Sequence, residues 1–285
     1  MLYYCRLKML LLRRYLPALW ALLCAAAPAV GWGGSVIASF NVPGLSSNGP
    51  RGLAADGDGL YAVADNRGPN RVRIFVFNYD GENAGIEREF NCPAAVFWAM
   101  DLAWRPTPAR LYVASDLTAS GQPARIYVLN DETGAVTNQF DSPFGPDVHV
   151  NGLTWDGSYL YASSYDVDLV YRMNYKGSVL GSFRADHAVN HGLAVHGSAL
   201  WLVSGRPHFD ARAYSPTGGF LTDFTFDVND EYVGGACWGR DSFLSLFVST
   251  YTGEQYIYEI NTDPRAYGGI AVEPTSMGRV KALFR

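Results

Sequence analysis

The sequence predicts an all-β protein with a single β-propeller domain, and three observations support that prediction. Segments of about five residues with strand-like patterning alternate with tight turns along the chain. A group of four such segments returns every 40 to 51 residues, which is typical of propeller blades. Aromatic residues, which favour strands, make up 14% of the 285 residues. With 48% hydrophobic residues, a chain of this length can build a large core.

The repeated unit is clearest between residues 151 and 186. An Asp-Gly turn at Asp156-Gly157 and a second turn at Lys176-Gly177 separate short apolar runs. The four predicted strands are Gly152–Trp155, Tyr159–Ser164, Leu169–Asn174 and Val179–Phe183. A sheet of this size has two apolar faces and cannot bury both of them alone, so we expect several copies to pack together.

Five segments of the chain match the first strand of this unit. They are Arg51–Ala55, Met100–Trp104, Asn151–Trp155, His191–Val195 and Gly234–Trp238. Their third residues fall at positions 53, 102, 153, 193 and 236, so the intervals are 49, 51, 40 and 43 residues. This spacing fits propeller blades and is too long for leucine-rich or ankyrin repeats.

The fourth strand of each unit begins with a glycine and ends with a phenylalanine. The copies are Gly85–Phe90, Gly134–Phe140, Gly177–Phe183 and Gly219–Phe224, with two more at the chain ends, Gly34–Phe40 and Gly278–Phe284. These counts predict five four-stranded blades, with the N-terminal strand completing the last blade and closing the ring. The alternative is a sixth, reduced blade built from Gly269–Phe284 together with Gly34–Phe40.

One part of the chain resembles a known repeat family. Gly52–Asp65 (GLAADGDGLYAVAD), followed by Asn70–Phe75 (NRVRIF) and Tyr79-Asp80-Gly81, looks like an NHL-type propeller repeat. The other units resemble the wider YVTN and NHL group more loosely. This resemblance implies a propeller domain over residues 34–285, often extracellular and often a binding platform. It transfers no catalytic residue, because propellers carry many unrelated functions.

The first 29 residues have the pattern of a secretory signal peptide. Basic residues between Arg6 and Arg14 precede an apolar run, and Ala27-Pro28-Ala29 supplies small residues for cleavage. The apolar run is short for a membrane anchor and contains Pro17. We therefore predict a signal peptide at residues 1–29, a secreted or periplasmic location, and no membrane attachment after cleavage.

Two cysteines, Cys92 and Cys237, remain after the predicted cleavage. An exported protein could pair them in a disulfide bond. Cys237, however, occupies a repeat position that is otherwise filled by Ala or Thr, where a small buried free thiol also fits. Both alternatives stay open at this point.

Several classes of function find no support in the sequence. The net charge of −5 gives no basic footprint for nucleic acid. No Gly-x-Ser-x-Gly motif occurs, and neither remaining cysteine has a histidine partner in a recognisable setting. No glycine-rich loop precedes a helix, as a phosphate-binding loop would.

The order in which the chain connects the strands of a propeller, which we call propeller wiring, is expected to bring polar residues together at one end of the ring. Loops that lead into first strands and loops that follow second strands share one face, which we call the upper face. The opposite face is the lower face, and it is expected to carry only one histidine, His196. The candidate ligand-binding residues near the channel mouth on the upper face are Trp98, Asp101, His149, Asn151, His187, Asn190, His191 and Glu231.

These candidates allow two interpretations. Imidazole and carboxylate groups that converge from several blades could bind a divalent metal ion or a small ligand. Alternatively, the loops are polar because they are solvated and their side chains cap turns. The second interpretation is favoured for Asp65 and Asp116, which are expected further from the channel together with Tyr165 and Asp166.

We therefore expect an exported, non-enzymatic binding or scaffold protein whose upper face takes a small ligand, a glycan or a protein. The alternative is a propeller enzyme, either a metal-dependent lactonase-type hydrolase or a glutaminyl-cyclase-type enzyme. The metal-dependent alternative requires a divalent cation at the channel mouth. The sequence does not identify the ligand.

The signal-peptide interpretation predicts cleavage of the exported protein close to residue 30. Mass spectrometry of protein recovered outside the cytoplasm should give an N-terminus between Ala27 and Gly34, because small residues mark the cleavage region. An exported protein that retains Met1 would contradict this interpretation.

Overall fold

Twenty β-strands and the turns between them make up the part of the chain that the computed structural model describes. The described residues are 32–46, 50–67, 69, 71–80, 82–116, 123–185, 190–205, 209–226, 233–238, 245–250 and 257–261. The predicted signal peptide and the C-terminal segment Gly278–Phe284 lie outside them. Within the described part, no helix has the length and apolar character needed to cross a bilayer.

Three of the sheets are four-stranded antiparallel meanders. The first contains β2 (Pro50–Ala55), β3 (Leu60–Asn66), β4 (Val72–Tyr79) and β5 (Ala84–Asn91). The second contains β6 (Ala99–Pro106), β7 (Ala109–Ser115), β8 (Arg125–Asn130) and β9 (Val136–Asp141). The third contains β10 (Gly152–Trp155), β11 (Leu160–Ser164), β12 (Leu169–Met173) and β13 (Val179–Arg184).

The fourth sheet has eight strands. In spatial order these are β14 (Asn190–His196), β15 (Ala199–Ser204), β16 (Asp210–Tyr214), β17 (Phe220–Phe226), β1 (Trp32–Phe40), β20 (Ile257–Asn261), β19 (Ser245–Thr250) and β18 (Val233–Trp238). The N-terminal strand β1 therefore lies in the middle of this sheet. It pairs in parallel with β17 through Trp32–Gly34 and antiparallel with β20 through Ser35–Phe40.

The predicted number of blades was wrong. The described strands form a single all-β propeller with four sheets, rather than five or six separate four-stranded blades. The physical reason is the double pairing of β1, which uses its first residues on β17 and the rest on β20. A repeat count along the sequence cannot detect that one strand joins two units edge to edge.

Apolar residues fill the space between adjacent sheets. Second strands are buried on both faces, as in β11, whose five residues are all buried, whereas outer strands such as β9 are mostly exposed. One core cluster, which includes Phe40, Leu53 and Ile257, joins the eight-stranded sheet to the first sheet. The first strands β2, β6, β10, β14 and β18 contact one another in sequence, and β18 contacts β2, so the ring is closed around the axis.

A glycine in each outer turn holds the terminal phenylalanine of the preceding unit. Gly177 precedes β13, and a Cβ at this position would collide with the ring of Phe140 at the end of β9. Gly134 meets Phe90 and Gly218 meets Phe183 in the same way. In three neighbouring pairs of units, a turn glycine and the terminal phenylalanine of the preceding outer strand are therefore the two halves of one contact.

Near the axis, the first strands approach so closely that four of the five equivalent positions are glycine. A Cβ at Gly52 would lie 2.7 Å from the Cα of Asp101, and one at Gly235 would lie 2.5 Å from the Cα of Gly52. Gly152 and Gly192 are similarly crowded by Leu193 and Ala236. Asp101 therefore supplies the side chain at this level of the channel.

The carboxylate of Asp101 links first strands from several sheets. Its Oδ1 accepts hydrogen bonds from the backbone N–H groups of Leu102 at 2.9 Å and Leu53 at 3.2 Å, and its Oδ2 accepts one from Leu153 at 2.7 Å. The backbone N–H of Leu193 also bonds to this carboxylate. Because an ionised carboxylate only accepts hydrogen bonds, it matches a site in which all four partners are donors.

Replacing Asp101 with Asn should lower the free energy of unfolding by about 3 kcal/mol. The substitution removes the charge and turns an NH₂ group toward backbone N–H donors, which leaves buried donors unsatisfied. Urea unfolding followed by tryptophan fluorescence measures this difference. Asp58→Asn, in an exposed turn, is the matched control and should change it little. An Asp101→Asn protein as stable as the parent would contradict the structural role of the carboxylate.

Candidate functional site

The upper face of the ring carries a cavity of about 340 Å³ between the first three sheets. Strand register places the start of each first strand beside the end of the following second strand, as in the pairing of Ala99 with Ser115. Residues at or just before the start of a first strand (β2, β6 or β10) therefore lie near residues at or just after the end of a second strand (β3, β7 or β11). The cavity, which we call the upper pocket, is lined by Arg51, Asn66, Trp98, Met100, Asp116, His149, Asn151 and Tyr165.

His149 is the most highly connected polar side chain of the upper pocket. Its backbone N–H donates to Oδ2 of Asp166 at 2.7 Å, and its Nδ1 lies 2.9 Å from the same oxygen. Its Nε2 lies 3.6 Å from Oδ2 of Asp116, which is too long for a direct hydrogen bond. The imidazole is stacked on Tyr165 with ring centroids 5.5 Å apart. Asp166 thus orients the ring, and Nε2 is the nitrogen on the side of Asp116.

Asn151 brings a buried donor to the pocket. Its side chain is 2% exposed, and its Oδ1 accepts a hydrogen bond from the backbone N–H of Tyr165 at 3.4 Å. Its Nδ2 donates to no atom of the described residues. A buried amide N–H without an acceptor is costly, so a ligand oxygen at this point would restore the missing hydrogen bond.

Other polar residues around the pocket have structural partners. Asn66 bridges to β6, because its Nδ2 donates to the carbonyl of Ala99 at 2.8 Å and its Oδ1 accepts from the N–H of Ala99 at 3.0 Å. Asp65 is fully buried, forms an ion pair of 2.7 Å with Arg67, and accepts a hydrogen bond from the backbone N–H of Ser46 at 3.1 Å. These contacts fix the walls of the upper pocket.

The predicted site residues are distributed as follows. The structure brings Trp98, His149 and Asn151 together in the upper pocket. Asp101, by contrast, is completely buried and its carboxylate is used by backbone donors. Asn190 and His191 lie in β14, but their side chains are not described, and His187 and Glu231 lie outside the described residues.

Sequence reasoning placed three important residues too far from the site. Asp116, Tyr165 and Asp166 were expected further out on the upper face, whereas each contacts or faces His149. Arg51 and Asn66 were not singled out at all. One sequence feature could have identified these residues. The residue types at the ends of the second strands differ between the repeated units, whereas we expect a residue that only caps a turn to be the same in each unit.

Metal binding and disulfide formation find no support in the described part of the chain. No group of three or more His, Cys, Asp or Glu side chains there has an arrangement that could hold a metal ion. Cys92 and Cys237 are both buried free thiols. Burial raises the pKa of the Cys92 thiol to about 12, so it is an unreactive thiol.

The structure is similar to a crystal structure of glutaminyl cyclase from Myxococcus xanthus. The TM-score is 0.59 with 12% sequence identity, and the match covers 81% of this chain and 97% of that chain. This similarity supports the β-propeller fold. At 12% identity it extends to the fold alone. A weaker match, to Raptor from Chaetomium thermophilum, has a TM-score of 0.47 and 10% identity over 81% of this chain and 29% of that chain, and carries no argument.

Sequence comparison adds no family assignment. No family model matches the chain, and no curated protein matches it in sequence. The resemblance to NHL and YVTN repeats therefore stays a prediction, whereas the propeller arrangement itself is observed.

Proposed function

We propose that the upper pocket is an active site for proton transfer on a small substrate that carries an amine and a carbonyl group. The observation that carries this proposal is the orientation of His149 by Asp166, at 2.9 Å, with Nε2 on the side of Asp116. A histidine held through Nδ1 by a carboxylate is poised to accept and return a proton at Nε2.

The pocket lining also limits the type of reaction. Its described residues include no Ser, Thr, Cys or Lys that would act as a nucleophile. We therefore take the attacking group to come from the substrate or from water, which corresponds to an internal cyclisation or to a hydrolysis without a covalent enzyme intermediate. The lactonase-type alternative depends on a metal, and the described residues supply no metal-binding group.

Cyclisation of an N-terminal glutamine satisfies these limits and is the reaction named for the Myxococcus xanthus protein. In this reaction the α-amine attacks the side-chain carbonyl carbon, a C–N bond forms, and ammonia leaves. His149 takes the proton from the attacking amine and returns it to the leaving nitrogen. The unsatisfied Nδ2 of Asn151 donates to the carbonyl oxygen, where negative charge develops.

Two further features of the pocket suit such a substrate. Trp98 and Tyr165 enclose it with aromatic surface, and Asp116 gives it a carboxylate that favours an amine. The signal-peptide pattern at the N-terminus predicts a location outside the cytoplasm, where the enzyme we propose would act on secreted peptides. A binding protein for the same class of ligand, without turnover, is the second candidate.

The proposal predicts that the full-length protein after signal removal releases ammonia from a short peptide with N-terminal glutamine. Mass spectrometry of the peptide and an ammonia assay measure the reaction. His149→Ala should lower kcat by about 100-fold or more, as expected for loss of a general acid–base group. Asn151→Asp, which replaces a donor with an acceptor, should also lower kcat.

The matched control is His196→Ala, because His196 packs on Trp238 at the lower face. Its kcat and KM should equal those of the parent. Failure of the parent protein to bind the peptide would overturn both candidate functions. The parent protein could also bind the peptide without releasing ammonia, and His149→Ala could abolish that binding. This result would favour a binding protein over an enzyme.

A further inference from the structure

The lower face carries a second cavity of about 340 Å³ on the axis. All five first strands contribute to it, through their last residues, so it lies at the opposite end of these strands from the upper pocket. We call it the lower cavity. Asp101 and the crowded glycines separate the two, because they occupy the axis at the level of the first-strand starts.

The wall of the lower cavity is aromatic. Trp104, Trp155 and Trp238 occupy the same repeat position in β6, β10 and β18. The corresponding residues in β2 and β14 are Ala55 and Val195, which also line the cavity. Since two of the five positions are small, the ring of indoles is open and leaves room at the centre.

The floor of the lower cavity is apolar. It includes Leu53 and Leu102, both fully buried, together with Ala103 and Ala236. The accessible surface of the cavity combines these apolar residues with polar groups from Asp56, Thr154 and the turn glycines. Apolar and aromatic walls with a small number of placed polar groups are typical of a site for a small organic ligand.

Polar atoms around the cavity are left without partners. The Nε1 groups of Trp104 and Trp238, whose side chains are 4% and 9% exposed, donate to no atom in the described part of the protein. Buried indole N–H groups normally find an acceptor. At the lower face, the described residues therefore supply no hydrogen-bond acceptor for these two indole N–H groups.

Among the described residues, Asp56 is the one charged residue in the lining of the lower cavity. Its Oδ1 accepts hydrogen bonds from the backbone N–H groups of Asp58, Gly59 and Leu60, at 2.7, 3.0 and 3.0 Å. Its Oδ2 has no hydrogen bond or ion pair with any residue that the structure describes. In the third sheet, the equivalent Asp156 uses its Oδ2 to accept from the hydroxyl of Tyr161 at 3.0 Å.

We propose that the lower cavity binds a small organic amine. The apolar body of the ligand lies against the partly exposed Ala55, Trp155 and Val195, and its ammonium group pairs with Oδ2 of Asp56. Arg88 and Arg105 lie against Trp104 and Trp155, at 5.8 and 5.7 Å from the ring centroids, but neither lines the cavity. This site is separate from the upper pocket and does not depend on its chemistry.

The test compares 2-phenylethylamine with 2-phenylethanol, which has the same apolar body and no charge at neutral pH. Calorimetry measures affinity, and tryptophan fluorescence reports on the three indoles of the wall. We expect the amine to bind about tenfold more tightly than the alcohol, since a charge-assisted hydrogen bond contributes on this scale. Asp56→Asn keeps the turn acceptor Oδ1 and should abolish that preference.

Two further variants make the result specific to the lower cavity. Ala55→Trp adds a fourth indole at a position where three other first strands already have one, and should block both compounds. If its thermal melting shows a folding defect, Ala55→Leu replaces it. Asp156→Asn is the matched control and should leave both affinities unchanged, because Asp156 does not line the cavity.

Equal affinity for amine and alcohol would overturn the proposal, as would the absence of binding by either. If the amine still binds to Asp56→Asn and to the cavity-filling variant at Ala55, the ligand lies elsewhere, and this result would also overturn the proposal. An amine preference that disappears in Asp56→Asn and persists in Asp156→Asn would establish the site.

Discussion

The fold depends on the close approach of the first strands to one axis, which Asp101 makes possible. Backbone N–H groups that point toward the axis need an acceptor, and a glycine has no side chain to supply one. One carboxylate accepts from Leu53, Leu102, Leu153 and Leu193 and so ties strands of several sheets to one point. Burial raises the pKa of Asp101 well above its ordinary value, while these four donors act in the opposite direction.

The axial carboxylate also sets the geometry of both cavities. Arg51, Met100 and Asn151 each immediately precede the axial residue of their strand and line the upper pocket. Leu53 and Leu102 immediately follow it and form the floor of the lower cavity. Site residues that lie one position from a fixed backbone have little freedom to move, which is the condition for precise positioning of Asn151 relative to a ligand.

The sequence predicted the features that repeat. The recurring Gly and Phe of the fourth strands indicated the stacked units, and the structure identifies them as a contact such as that of Gly177 with Phe140. It did not predict the number of sheets, because the pairing of β1 with both β17 and β20 depends on edge geometry rather than on local pattern. Asp101 was expected to face a ligand, because a polar residue at a predicted channel mouth is indistinguishable in sequence from one that binds backbone groups.

Within the described residues, the upper pocket brings together three of the eight candidates that propeller topology predicts. Topology treats all loops of one face as equivalent, whereas the eight described lining residues come from the first three sheets and the loops next to them. A ring of identical units would offer a ligand the same group at each unit, whereas the ligand that we propose, with one amine and one carbonyl, needs different groups on different sides. Asn66, Asp116 and Tyr165 differ from one another at the ends of the second strands, so the described part of the pocket has the asymmetry that such a ligand requires.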